Sequence, residues 1–148
     1  MQRFNIYLAG GVTGLPAHGE NGYMTWRREV KDQIKSGFYN SIFDVVVIDP
    51  TEYFNFEEKT YESEREIMEF DLYKVRTSDL IIVNFSAPKS LGTMAELAIA
   101  YERRIPIIGL SEKEKYRTEM HPWQSEFCTR IFNRRDEMLD YIRNYYLN

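Results

Sequence analysis

Two carboxylates give this chain its clearest chemical suggestion. Glu96 is expected in the first turn of a helix, three residues after Thr93 and six after Ser90, in the run SLGTMAE. Asp71 lies four residues from both Ile67 and Val75, along the apolar stripe of an expected helix over 61–78. A carboxylate on such a stripe is costly without a partner, so it is held there by function or by a structural hydrogen bond. The positive end of a helix favours the ionised form of Glu96, which suits a nucleophile. Apolar surroundings favour a proton on Asp71. Two carboxylates with separated proton affinities are the equipment for cleaving a glycosidic bond. One attacks or stabilises the anomeric carbon and the other manages the proton on the leaving group. The residues alone leave a structural reading open. Thr93-x-x-Glu96 has capping-box spacing, and the Ser90 and Thr93 hydroxyls suit a phosphate or a helix cap equally.

The elements that must position these groups alternate between strand and helix. Residues 4–9 (FNIYLA) read as a buried strand closed by Gly10-Gly11, and residues 10–22 hold five glycines and one proline, a loop. That loop lacks the GxGxxG fingerprint, so no nicotinamide cofactor is expected. A helix over 23–36 places Tyr23, Trp26, Val30 and Ile34 on one face, with Asn21 as its cap and Gly37 as its stop. Strand two (42–48) ends at Asp49-Pro50. An aromatic, acidic loop follows (51–60, TEYFNFEEKT), either folded over a base or anchored at the surface by Tyr53, Phe54 and Phe56.

After the Asp71 helix comes a continuous apolar strand (79–84) and then the Glu96 helix. The stripe of that helix is expected at Met94, Leu97, Ala98 and Tyr101, with Glu96 facing elsewhere. A fourth strand (105–110), an irregular polar stretch (111–126), a fifth strand (127–132) and a helix (136–147) complete the chain. The last helix is expected to turn Met138, Tyr141, Ile142 and Tyr145 inward. The alternation predicts one α/β domain over 1–148 with a parallel sheet and right-handed crossovers. Ligands in such folds sit at the carboxyl ends of the strands, which here carry Gly10-Gly11, Asp49-Pro50, Asn84 to Ser90, and Ser111.

Composition narrows the partners. Of 148 residues, 28% are charged, and the net charge of −4 argues against a surface for nucleic acid polymers. A small anion remains open, because backbone N–H groups bind phosphate without net positive charge. The aromatic share of 15% could stack a planar ligand or simply fill the core. Cys128 is the single cysteine, so no disulfide framework is expected, and with two histidines it makes no zinc pattern. The N-terminus is not a signal peptide, and no run reaches the roughly 18 apolar residues of a membrane span, so the cytoplasm is the expected compartment.

IYLAGG, the Asp71 helix, SDLIIVNF and S-x-G-T-x-x-E-L-x-x-A together resemble the nucleoside 2-deoxyribosyltransferase superfamily, over Asn5 to about Leu110. That superfamily includes deoxynucleoside 5′-monophosphate N-glycosidases. The resemblance implies a flavodoxin-like fold with a five-stranded parallel sheet in the order 2-1-3-4-5, and no cofactor or metal. It implies Glu96 as nucleophile, Asp71 as support for protonating the leaving base, and Tyr7 as the residue that orients the nucleophile. Six residues before the nucleophile, enzymes acting on free nucleosides commonly carry Asp and nucleotide hydrolases carry Ser. This chain has Ser90, with Gly10, Gly11 and Lys89 nearby as phosphate partners; Asn84, Gly92 and Thr93 complete the implied substrate contacts. The loop from Gly11 to Gly14 lacks the Arg that some hydrolases use, so the substrate is a nucleoside or a nucleoside monophosphate. Sites in this family are often completed by a neighbouring subunit, which implies a homo-oligomer, dimer or higher, and Ser125 as a contributor in trans.

Two other functions fit parts of the pattern. Cytokinin-activating phosphoribohydrolases share a GxGTxxE turn, but their PGGxGTxxE is not met by APKSLGTMAE. A non-catalytic nucleotide sensor would use Glu96 only as a cap.

Overall fold

The structure is a computed structural model and describes residues 1–20, 22–54 and 61–148. Its sheet comprises β1 (Arg3–Gly10), β2 (Asp44–Ile48), β3 (Leu80–Asn84), β4 (Ile107–Leu110) and β5 (Arg130–Phe132). All neighbours run parallel, in the order β2-β1-β3-β4-β5. Helices α1 (Thr25–Gly37), α2 (Glu64–Arg76), α3 (Leu91–Glu102), α4 (Glu114–Glu119), α5 (Pro122–Phe127) and α6 (Arg135–Tyr146) cover it. This is the flavodoxin-like α/β arrangement, with the order that the sequence motifs implied.

Strand alternation divides the core. Ile6 and Leu8 of β1 pack with Trp26, Val30 and Ile34 of α1 and with Met138, Leu139 and Ile142 of α6. Tyr7 and Ala9 point the other way, into a cluster with Val75 of α2 and Leu97 and Ala100 of α3. Of the fully buried residues on that face of β1, Tyr7 and Ala9, only Tyr7 carries a polar tip, and it lies on the side of α2 and α3.

Several elements differ from expectation. The buried positions of α3 are Thr93, Leu97 and Ala100, while Tyr101 is 56% exposed and rests against Phe127. Glu96 lies beside this buried row and faces β1. In α6, Met138, Leu139 and Ile142 are buried, but Tyr145 is 72% exposed. A tyrosine can lay its ring along the rim of a core and leave its hydroxyl in water, so apolar spacing alone misplaces it.

The 111–126 stretch is not irregular, since it holds α4 and α5. Its polar composition hides helices of six residues each. The start of α5 is fixed by His121, whose Nδ1 accepts from the Trp123 N–H, while Gln124 Oε1 accepts from the His121 N–H. The N-cap position of α1 is Met24, without a side-chain cap, and Gly37 is its last helical residue rather than its stop. Asn21, expected as that cap, lies outside the described residues. Within the 51–60 loop, Tyr53 and Phe54 pack on Phe70 of α2, with ring centroids 4.9 and 5.1 Å away. Phe56 lies outside the described residues.

Candidate active site

The site forms where β1, in the middle of the sheet, meets the first turns of α3. Tyr7 is fully buried opposite Ile48 of β2 and Ile81 of β3. Its hydroxyl donates to Glu96 Oε2. Burial holds the Tyr7 phenol well above its usual range, and the Glu96 and Asp71 charges push it the same way. Tyr7 is therefore a neutral donor throughout the physiological range.

The turn into α3 fixes the second wall. Ser90 is the N-cap, and its Oγ accepts from the Thr93 N–H at 3.3 Å and the Thr93 hydroxyl at 3.0 Å. The cap is thus Ser90 with Thr93, and Glu96 takes no part in it. Since α3 begins at Leu91, Glu96 sits in the second turn, where the pull of the helix end has largely faded. Asn84 is buried at the end of β3, and its side-chain carbonyl accepts from the Ser86 N–H at 2.9 Å, which turns the chain toward Ser90. A Cβ added at Gly92 meets nothing within 4 Å, so the surface above the helix start is open.

The first loop abuts this turn at close range. A Cβ at Gly11 would stand 2.6 Å from Ala87 Cβ and 3.2 Å from Ser90 Cβ. Gly10 is nearly as tight, with Trp26 at 3.1 Å and the Asn84 carbonyl at 3.2 Å. Gly11→Ala must therefore push the β1 and β3 loops apart. It is expected to cost about 1–3 kcal/mol of stability in a denaturant titration and to weaken substrate binding. Unchanged stability would show that the loops are not in contact in solution.

The proton affinities correct the expected assignment. Burial raises the Glu96 carboxyl to about 8; the Tyr7 hydrogen bond and Arg27 oppose this, and Asp71 adds to it. Burial raises Asp71 to about 6, with Arg27 opposing. Both groups hold protons more tightly than ordinary carboxyls, and Glu96, not Asp71, holds the tighter one. The cause is depth: Glu96 lies against the sheet, whereas Asp71 is less deeply buried. The Asp71 Oδ1 is buried and has no hydrogen-bond partner among the described residues.

The Tyr7–Glu96–Asp71 arrangement joins a buried phenolic donor to one carboxyl and sets a second carboxyl within electrostatic reach of it. A sequence model of the nucleoside 2-deoxyribosyltransferase family matches residues 6–137, spanning β1 through the start of α6. The chain belongs to the nucleoside 2-deoxyribosyltransferase family. Comparison with curated proteins finds no match. Solved structures share the fold of this family member across nearly their whole length. A conserved protein from Enterococcus faecalis V583 superposes with a TM-score of 0.73 at 17% identity, covering 95% of this chain and 98% of its own. A 2-deoxyribosyltransferase from Leishmania mexicana gives 0.67 at 23% identity, covering 97% and 99%. A CMP N-glycosidase from Clostridium botulinum gives 0.56 at 17%, covering 95% and 99%.

Other residues of this deoxyribosyltransferase-family chain stand apart from the cluster or were not anticipated. Ser125 lies on α5, and its hydroxyl donates to Met120 Sδ at 3.2 Å. No described contact joins it to Tyr7, Glu96 or Asp71. Lys89 is exposed at the turn before Ser90. Among the described residues, no group of three or more His, Cys, Asp or Glu side chains could hold a metal ion, and no helix is long and apolar enough to cross a membrane.

The unanticipated pair is Arg27 and Asp49, each 1% exposed, with Nε and Oδ1 3.8 Å apart. Arg27 falls four residues after Tyr23 and three before Val30, on the apolar stripe of α1. A charged residue at such a position is the signal that singled out Asp71, and it applied equally to Arg27.

Proposed function

We propose that this chain cleaves the N-glycosidic bond of a 2-deoxyribonucleoside or its 5′-monophosphate and passes the deoxyribosyl group to water or to a second base. The observation that supports this most is the buried Tyr7 hydroxyl donating to Glu96, beside an Asp71 oxygen with no partner. Ionised Glu96 attacks C1′, and the bond between C1′ and the base nitrogen breaks. The electron pair leaves with the base, which takes a proton from Asp71. Water or an acceptor base then attacks C1′, Asp71 recovers a proton, and the Glu96 carboxylate is released. Tyr7 holds one carboxylate oxygen, which aims the other at the sugar.

Ser90 favours a substrate with a 5′-phosphate. Its oxygen accepts from Thr93, which leaves its own O–H to donate into the open space above the start of α3. Ser90→Asp places a negative charge there and is expected to raise KM for a deoxynucleoside monophosphate by about tenfold or more, with a smaller effect on the free nucleoside. Equal effects on both substrates would remove Ser90 from phosphate recognition.

The deciding experiment incubates the protein with dCMP, dGMP, deoxynucleosides and AMP, with and without an acceptor base. Free base without acceptor identifies a hydrolase. Exchange only with acceptor identifies a transferase. Release from AMP alone points to a phosphoribohydrolase, and binding without products leaves a nucleotide sensor.

A further inference from the structure

Five segments each contribute one ionisable or hydroxyl group to a linked cluster: Tyr7 from β1, Arg27 from α1, Asp49 from just after β2, Asp71 from α2 and Glu96 from α3. Arg27 is the only buried Lys or Arg among the described residues. Its position follows from how β1 outruns β2. The Asn5 carbonyl of β1 points toward β3, where it accepts from the Asp79 N–H. By alternation, the Leu8 and Gly10 carbonyls point toward β2. β2 is paired only as far as Ile48, opposite Tyr7, so those two carbonyls have no strand beside them. Arg27 takes both: Nε donates to Leu8 O at 3.3 Å and Nη2 to Gly10 O at 2.9 Å. Nη1 donates to Tyr23 O at 2.7 Å, and the guanidinium lies 4.7 Å from the Trp26 ring centroid.

We propose that Arg27 is a positioning residue for the reaction, clamping the carboxyl end of β1 around Tyr7 and serving as the buried counter-charge that lets Glu96 ionise. The inference rests on the glycosidic reading of the site. A clamp alone would need only donors, whereas this one carries a full charge into a cluster of three acids. Asp49 pairs with that charge at 3.8 Å. Arg27 also favours the ionised forms of both Glu96 and Asp71. The ionisable groups that act on Glu96 are Tyr7, Asp71 and Arg27, and of these only Arg27 is positive. Its planar fork also suits the task better than an ammonium would, since three separate carbonyls are held at fixed angles.

The test is a 13C NMR titration of the carboxyl groups in the full chain, with the Glu96 signal assigned by Glu96→Gln. Removing Arg27 alone would strand Asp49 as a buried charge, so the informative variant is Arg27→Met combined with Asp49→Asn. Its Glu96 midpoint is expected to rise by about 1 pH unit or more. Asp49→Asn alone should give a midpoint no higher than the parent, and Arg27→Lys should stay close to the parent. The high-pH limb of base release should move with the Glu96 midpoint. Arg27→Gln with Asp49→Asn is read in the same way should the Met variant not fold. A Glu96 midpoint unchanged in the folded double variant overturns the proposal. The titration needs no turnover, so a parent that releases no base would overturn the glycosidic reading while leaving the question of the counter-charge decided.

Discussion

Glu96→Gln should release base at least about 10³-fold more slowly than the parent while becoming more stable than the parent as the pH rises. The loss of rate follows from the loss of the nucleophile. Glutamine keeps the shape and an acceptor for the Tyr7 hydroxyl but cannot form the bond to C1′. The gain in stability follows from the cost of ionising a buried acid. In the unfolded chain Glu96 loses its proton near its ordinary value of 4.5, whereas in the fold it keeps it until about 8. Between those values the unfolded chain binds fewer protons than the native one, so native stability falls as the pH rises. Glutamine has no such penalty. The difference in Tm between variant and parent should therefore widen from about pH 5 to about pH 8 and then level off, which thermal melts by circular dichroism will measure. A difference that stays constant across that range would mean that Glu96 is not held as a buried acid. Retained base release would remove it from the chemistry.

Asp71→Asn should lower base release by about 10²–10⁴-fold, the usual loss when a positioned general acid is removed. The size of the loss should depend on the leaving group. A 2-deoxyriboside of p-nitrophenol departs as a stable anion and needs no proton, so the variant should recover most of its rate with that substrate. A loss of equal size for both would assign Asp71 to holding the sugar or the fold. The parent should show a bell-shaped profile. Asp71 titrates near about 6 and Glu96 near about 8, and between these values the pair holds one proton. The limbs belong to the pair, since each carboxyl raises the proton affinity of the other. The reactive arrangement is the less populated one, with the proton on Asp71 and the charge on Glu96. Asn at 71 removes that repulsion, so Glu96 should then titrate lower than in the parent.

The strands were legible because each is built around a short apolar run, although β5 is shorter than the expected 127–132 because Phe127 closes α5, and the sheet order followed from the motifs of the family. The meeting of Tyr7 with Glu96 is a different kind of information. These residues are separated by most of the chain, and only the register of β1 against β3 brings them together. The proton assignment went astray because spacing places Glu96 near a helix end but says nothing of how deeply it is buried. Depth dominates here, and it reverses the expected order of the two acids. Arg27 was legible in principle: a cation four residues after Tyr23 and three before Val30 breaks an apolar stripe as plainly as Asp71 does. Its meaning depends on Leu8 and Gly10 having lost their strand partners, which no local pattern encodes.

The alternation of β1 carries a consequence for the fidelity of folding. A slip of one residue against β2 and β3 would turn Tyr7 toward α1 and α6 and present Ile6 or Leu8 to Glu96. The glutamate would then be walled in by hydrocarbon with no donor, and the Arg27 fork would face the wrong carbonyls. Apolar residues occupy both faces of β1, so packing alone discriminates weakly between the two registers. The polar contacts discriminate strongly, because the wrong register leaves a buried acid without its hydrogen bond. The groups proposed to break the glycosidic bond thus also proofread the alignment of the central strand, and substitutions that silence the chemistry should also make misaligned forms of the sheet easier to populate.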